Sequence, residues 1–222
     1  MKRVILACTG RENALLESPT GTGKTLSLLC ASLAWLQKER ESYKLGGKDL
    51  SEIPKIVYCS RTHSQLAQVQ KELKNTVFNP RTVLIASRDH LCVNSTINTH
   101  RGFALNAACR NAQKGINPCP YYKNRDKADK TMPWTPMDIE ELHKVAQRHQ
   151  FCPYYANNTR AAAADLIFMP YNYLLEDKIR ENYTSYHNLN FKNAIIIFDE
   201  AHNIAPCAEE VASFELKAKH LD

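Results

Sequence analysis

At 222 residues, 44% apolar and 23% charged, the chain is long enough to bury a core and too apolar to be a disordered tail. No apolar run reaches the roughly 20 residues of a bilayer-spanning helix, which excludes an integral helical membrane protein and leaves no membrane partner to expect. The formal charge of +6 is uneven, basic over residues 1–160 and acidic over residues 161–222, which fits a polyanion partner or an ordinary solvated face.

Met1–Cys8 is basic and then apolar, but the apolar stretch stops at Thr9-Gly10-Arg11, too short for a secretory leader, so it reads as part of a helix. Asn13-Ala14-Leu15-Leu16-Glu17 predicts a short buried strand running into a Pro/Gly turn. After Lys24-Thr25, Leu26, Leu29, Cys30 and Leu33 recur at helical spacing, predicting an amphipathic helix over about residues 24–41. Ile56–Cys59 reads as a strand, followed by a helix with Leu66, Val69 and Leu73 on one face, and Thr82–Ala86 reads as a third strand. From Arg88 to about Tyr155 no strand pattern occurs. Within that stretch, Thr135-Pro136-Met137-Asp138 predicts a helix start with proline at the first helical position. Strand patterns resume at Asp165–Met169 and Ala194–Phe198. Apolar strands alternating with helices predict an α/β fold with a parallel sheet covered on both faces.

Ser18-Pro19-Thr20-Gly21-Thr22-Gly23-Lys24-Thr25 has the composition and context of a phosphate-binding loop. Gly21 and Gly23 let the backbone turn its N–H groups toward phosphate oxygens, and the following helix adds its positive end. Lys24 supplies a cation for the β- and γ-phosphates of ATP, and the Thr25 hydroxyl is a ligand for Mg2+. Ser18 stands where the general pattern has glycine. At the other end of the chain, Ile195–Phe198 runs into Asp199-Glu200-Ala201-His202. At a parallel strand's carboxyl end, Asp199 is the candidate Mg2+ carboxylate and Glu200 the candidate base for the attacking water. His202 is a candidate sensor of nucleotide state. Together the two motifs predict ATP hydrolysis.

Joined to the phosphate loop, Asp199–His202 resembles the DEAH box of superfamily 2 helicases. Ser60–Leu66, Ser87–Cys92, Cys152–Tyr155 and Phe168–Leu175 resemble the corresponding blocks of the XPD-like iron–sulfur DNA helicases. Within that group, Glu17–Thr25, Leu28-Leu29-Cys30 and Leu33-Ala34-Trp35 are most similar to the telomere-maintenance branch, with the Fanconi-anaemia branch second. The resemblance implies a RecA-like P-loop parallel sheet, the first motor domain of an ATP-dependent 5′–3′ DNA helicase of the nucleus, acting in repair or telomere maintenance on single-stranded or duplex-junction DNA. It divides the chain into residues 1–87 and 156–222, the two parts of the motor domain, and residues 88–155, an inserted iron–sulfur domain. Arg61, Thr62, His63 and Gln65 fall in the block that holds the DNA backbone, contacts that position the strand without reading sequence. Members also have an upstream adenine-recognising segment, an arch domain and a second motor domain. The present chain is expected to lack these and to need them, as the remaining helicase domains of a parent protein, for unwinding.

Eight cysteines in a chain without a leader read as metal ligands or buried thiols rather than disulfides. Cys92, Cys109, Cys119 and Cys152 lie in the strand-free stretch with no C-x-x-C among them. By spacing alone, an iron–sulfur centre, zinc (with His90, His100, His143 and His149 nearby) and plain thiols all remain open. The resemblance selects a 4Fe–4S cluster on these four cysteines and places Arg88 as a brace for it or a DNA contact. Tyr121-Tyr122 and Tyr154-Tyr155, among basic residues, read either as base-stacking surfaces or as packing. Cys8, Cys30, Cys59 and Cys207 read as small apolar residues. Two competing readings are a non-catalytic module that binds DNA or partners, and a P-loop ATPase with a zinc insertion.

Overall fold

Runs of β-branched and aromatic residues pair into one four-stranded parallel sheet. The computed structural model describes residues 1–19, 21–47, 49, 52–187, 189, 191 and 193–214. In it β1 (Lys55–Ser60), β2 (Thr82–Leu84), β3 (Leu166–Pro170) and β4 (Ala194–Phe198) stand in the order β2-β3-β1-β4. Cys59 lies opposite both Met169 and Phe198, so β1, β3 and β4 end at one height.

Helices α1 (Lys2–Gly10) and α2 (Lys24–Leu45) precede β1, and α3 (His63–Lys74) follows it. Between β2 and β3 the described residues hold no strand. Their helices are α4 (Arg88–Leu91), α5 (Gly102–Lys114), α6 (Pro120–Lys123), α7 (Ala128–Thr131), α8 (Ile139–His149) and α9 (Pro153–Ala161). The chain continues through α10 (Asn172–Leu175) and α11 (Asp177–Tyr186) to β4, and then α12 (Ile204–Ala212). Among the described residues no helix is long and apolar enough to cross a membrane.

The period-two alternation of β1 sorts its side chains into two cores. Ile56 and Tyr58 join Leu29, Leu33, Leu66 and Phe168 on one face. Val57 and Cys59 join Ile85, Ile167 and Met169 on the other. All four of these β1 residues are fully buried, which explains why the strand reads as continuously apolar. Burial also pushes the Cys59 thiol well up, consistent with an inert core residue. Polar ties supplement the packing. Asp165, just before β3 and 3% exposed, is gripped by Arg40 of α2 (3.2 Å) and by Arg81 before β2 (2.9 Å). Burial alone would raise its carboxyl, but these arginines hold it below the ordinary carboxylate range.

Two sequence expectations are corrected. Asn13–Glu17 is not a buried strand: it runs as irregular chain with Leu15 91% exposed, and no described strand pairs with it, so its apolar side chains find no sheet to pack on. The helix expected to start around Pro136 begins at Ile139, with Asp138 as its cap. The Asp138 carboxylate accepts the Glu141 N–H at 2.9 Å, and the Glu141 carboxylate accepts the Asp138 N–H at 3.1 Å. This reciprocal box satisfies two backbone donors, whereas a start at Pro136 has no such partner.

Candidate nucleotide site, thiol cluster and nucleic-acid surface

Asp199 and Glu200 reach the phosphate-loop side because β4 lies beside β1 and ends level with it. The Lys24 ammonium stands 3.5 Å from Glu200 Oε1, with both side chains about one-third exposed. The loop and the acidic strand tip therefore meet in space.

The loop's local chemistry is visible residue by residue. Gly21 and Gly23 have φ of 79° and 75°, the left-handed region where a side chain is strained. Gly23 is the N-cap of α2, which leaves the first N–H groups of Lys24 and Thr25 at the mouth of a 22-residue helix. Thr22 donates its hydroxyl to the Pro19 carbonyl (2.8 Å) and pairs with Ser18 Oγ (2.5 Å). Ser18, where glycine is usual, thus fastens the loop from within. Thr20 lies outside the described residues.

Glu200 sits in the left-handed conformation, φ 52°, uncommon for a residue with a side chain. Tyr171 at the end of β3 donates its hydroxyl to the Asp199 carbonyl and also reaches the Glu200 carbonyl. Asn203 donates to the Glu200 carbonyl at 3.1 Å. Burial, together with the Asp199 carboxylate, pushes the Tyr171 phenol up to about 12, so it remains a donor at neutral pH. Asp199 Oδ1 accepts the Glu200 N–H at 3.1 Å. His202 Nδ1 lies 3.5 Å from Glu200 Oε2 with its ring largely exposed.

Arg61 and Thr62 follow β1, both exposed. Thr62 caps α3, and Gln65 Oε1 accepts from the Thr62 N–H (3.1 Å) and from the Ser60 hydroxyl (2.8 Å). Arg61 donates to Asn203 Oδ1 at 3.3 Å. A cavity of about 400 Å³ opens beside them, lined by Arg61, Thr62, Tyr171, Asn172 and Glu210 among others. His63 turns away: its ring packs edge-on against His90 at 4.6 Å, and burial lowers its pKa to about 4, with His90 adding to the effect. His143 contacts the His90 carbonyl at 2.8 Å.

The four candidate cysteines gather at the far side of β2. The thiols of Cys92, Cys109 and Cys152 lie within electrostatic reach of one another, and that of Cys119 within reach of Cys92. Burial pushes Cys152 up to about 12, and neighbouring Cys109 and Cys92 add to the rise. Asn94 donates to Cys119 Sγ at 3.3 Å, and Gln113 reaches Cys109 Sγ at 3.5 Å. Arg88 joins this group rather than Arg61. Its guanidinium stacks 4.2 Å from the Tyr154 ring and donates to Tyr155 Oη (2.8 Å) and Asn106 Oδ1 (3.0 Å), with Cys109 close by. Tyr122 and Tyr154 both pack on Tyr155, at 4.8 and 5.0 Å between ring centroids. N–H donors aimed at sulfur are the kind of partner that a ligating thiolate takes. Among the described residues, no three His, Cys, Asp or Glu side chains come within range of a single metal ion.

Tyr171, Asn203, Asn94 and Gln113 escape the sequence reading. Tyr171 sits inside a resembling block and Asn203 directly follows Asp199–His202, but only tertiary contact gives them work.

The DEAD_2 family model matches residues 58–221. The chain is 37% identical to "Regulator of telomere elongation helicase 1" of Rattus norvegicus, over 97% of this chain and 19% of that protein. It is 39% identical to the homologues of that name from Arabidopsis thaliana and Drosophila melanogaster, covering 23% and 25% of them. The chain thus spans about a fifth to a quarter of the length of these curated relatives. Among solved structures, "XPD_Helicase" superposes with a TM-score of 0.60 at 20% identity, over 94% of this chain and 32% of that one. "Truncated XPD" superposes at 0.56 and 20% identity, over 91% of this chain and 51% of that one.

Proposed function

The chain belongs to the DEAD_2 family of XPD-like superfamily 2 helicases, related to the telomere elongation regulators, and on that premise we propose that it is the N-terminal motor segment of an ATP-dependent 5′–3′ DNA helicase. The observation that carries this reading is the approach of Lys24 to Glu200, which brings the phosphate loop to the acid pair.

In this reading the loop N–H groups and Lys24 hold the β- and γ-phosphates of ATP. Thr25 and Asp199 hold Mg2+, which when bound neutralises charge on the phosphates. Glu200 orients and deprotonates the attacking water, its backbone fixed by Tyr171 and Asn203. His202, beside Glu200, responds to nucleotide state. Arg61 and Thr62 meet the backbone of single-stranded or junction DNA, and Asn203 ties Arg61 to Glu200. His63 and Gln65 shape that surface from beneath.

Residues 1–87 and 156–222 form the two parts of motor domain 1 in this reading, and residues 88–155 form an insertion built around a 4Fe–4S cluster. Cys92, Cys109, Cys119 and Cys152 would be its ligands, a reading supported by the electrostatic reach of Cys92 to Cys109 and Cys119 and of Cys152 to Cys92 and Cys109, and by the donors Asn94 and Gln113. A cluster there would tie together short helices whose buried side chains, Leu91, Leu142 and Phe151 among them, pack into the core of the sheet. The relatives' name supports a nuclear role in telomere maintenance or repair, working with the remaining helicase domains of a longer protein.

The test is ATP turnover in a chain extended to the length of these relatives. DNA should stimulate it, Lys24→Ala should abolish nucleotide binding, and Glu200→Gln should slow turnover about 100-fold or more while keeping binding. Turnover indifferent to DNA, or to Glu200→Gln, defeats the reading.

A further inference from the structure

Tyr58 is fully buried on β1, the strand between β3 and β4, with its ring packed on Phe168 at 6.1 Å. Tyr58 lies opposite Ile197 in the β1–β4 register, two residues before Asp199 and so on the same side of the sheet. Its buried hydroxyl closes no hydrogen bond of normal geometry, although Thr25 and Asp199, from distant parts of the chain, are near enough to act on it. A buried unpartnered hydroxyl is a standing cost to the fold, and phenylalanine would fill the same space without it. The neighbours give the hydroxyl a use. Asp199 Oδ1 is already engaged by the Glu200 N–H, which leaves the other carboxylate oxygen to be oriented.

We propose that Tyr58 is a positioning residue for the Mg2+ site, its O–H held between Thr25 and Asp199 so that it fixes the Asp199 carboxylate when the ion is bound. The inference rests on the nucleotide-site reading above and assigns a role to a residue buried beneath that site. A donor to an anionic carboxylate makes a strong, directional bond, and a phenol on a central strand can move little. Tyr58 thereby gives up partnered burial in the ion-free protein for a preset carboxylate in the loaded one.

The experiment compares the 222-residue chain with Tyr58→Phe in three measurements: melting in EDTA, ADP affinity in EDTA, and the Mg2+ concentration that half-saturates the extra stabilisation by ADP. The expected result is a melting temperature in EDTA unchanged or raised, ADP affinity in EDTA unchanged, and a Mg2+ half-saturation about tenfold higher, the usual effect of removing a metal ligand's outer partner. An unaltered Mg2+ half-saturation overturns the proposal. So does a variant that melts earlier or fails to fold, because the hydroxyl then serves the ion-free structure. A wild-type chain whose melting shows no Mg2+-dependent response to ADP brings down the nucleotide-site reading and this inference together. A responsive wild type whose Mg2+ half-saturation the variant reproduces brings down only this inference.

Discussion

Arg61 donates to Asn203 at 3.3 Å, and Asn203 in turn donates to the Glu200 carbonyl at 3.1 Å. One amide side chain thus touches both the cation offered to DNA and the backbone of the candidate base. Because Glu200 is held in a left-handed conformation, a pull on Asn203 acts on a residue that already stores backbone strain. Asn203→Ala should weaken single-stranded DNA binding about threefold, the loss of one modest hydrogen bond that orients Arg61. Fluorescence anisotropy with a labelled oligonucleotide measures this, and unchanged affinity would separate the two sites.

Arg61→Ala should weaken DNA binding by a similar factor for every sequence tested, since a phosphate contact carries no base information. The slope of log affinity against log salt should fall by about one. A loss confined to some sequences would assign Arg61 to base readout.

Protein purified without oxygen should be brown and contain iron and acid-labile sulfide. Cys109→Ser should lose both and lower the melting temperature, because the free energy of thiolate ligation is then lost to the fold. Colourless protein containing stoichiometric zinc would favour a different centre on the same cysteines.

Asp165→Asn should cost about 2 kcal/mol, below the full penalty of a broken buried pair because Arg40 and Arg81 keep partial access to water. For a chain of this size that lowers the melting temperature by roughly 6 °C. A shift under 1 °C would show that the arginines contribute little.

His63 gives the fold an acid limit. Its folded pKa of about 4 lies below the ordinary value of 6.5, so between those values the unfolded chain binds the extra proton. This contribution is fully present above pH 6.5, is lost as pH falls toward 4, and changes no further below that. His63→Phe should flatten the melting temperature across this window relative to wild type. Equal slopes in the two proteins would assign the acid sensitivity of this window to other groups, since Asp165 gives up its contribution only at lower pH.

The phosphate loop and Asp199–His202 are legible in sequence because their chemistry admits few residue types at fixed spacing. β1 and β3 are legible because strands buried on both faces are apolar throughout, and β4 is legible because its run is as apolar, although Ile197 is its one buried residue. Asn13–Glu17 misleads for the same reason: an apolar run becomes a strand only beside a partner, and pairing is a tertiary fact. Thr135-Pro136 misleads because proline suits a first turn without requiring one, whereas Asp138 and Glu141 close a box. The resemblance nominated the four cysteines together, but their donors Asn94 and Gln113 are invisible until the chain folds. Tyr171 and Asn203 escape for that reason too, each acting through a backbone carbonyl that any residue would supply.

The matched heights of β1, β3 and β4 have a consequence for how this chain can vary in length. A single residue inserted within β4 would shift its acidic tip by about 3.3 Å and turn alternate side chains to the opposite face, separating Asp199 from Thr25 and Glu200 from Lys24. Residues added between β2 and β3 meet no such constraint, since a connection grows at little thermodynamic cost while its two anchoring strands stay in step. Divergence in size should therefore accumulate in the helical excursion, with the strands that aim the acids kept to a fixed count.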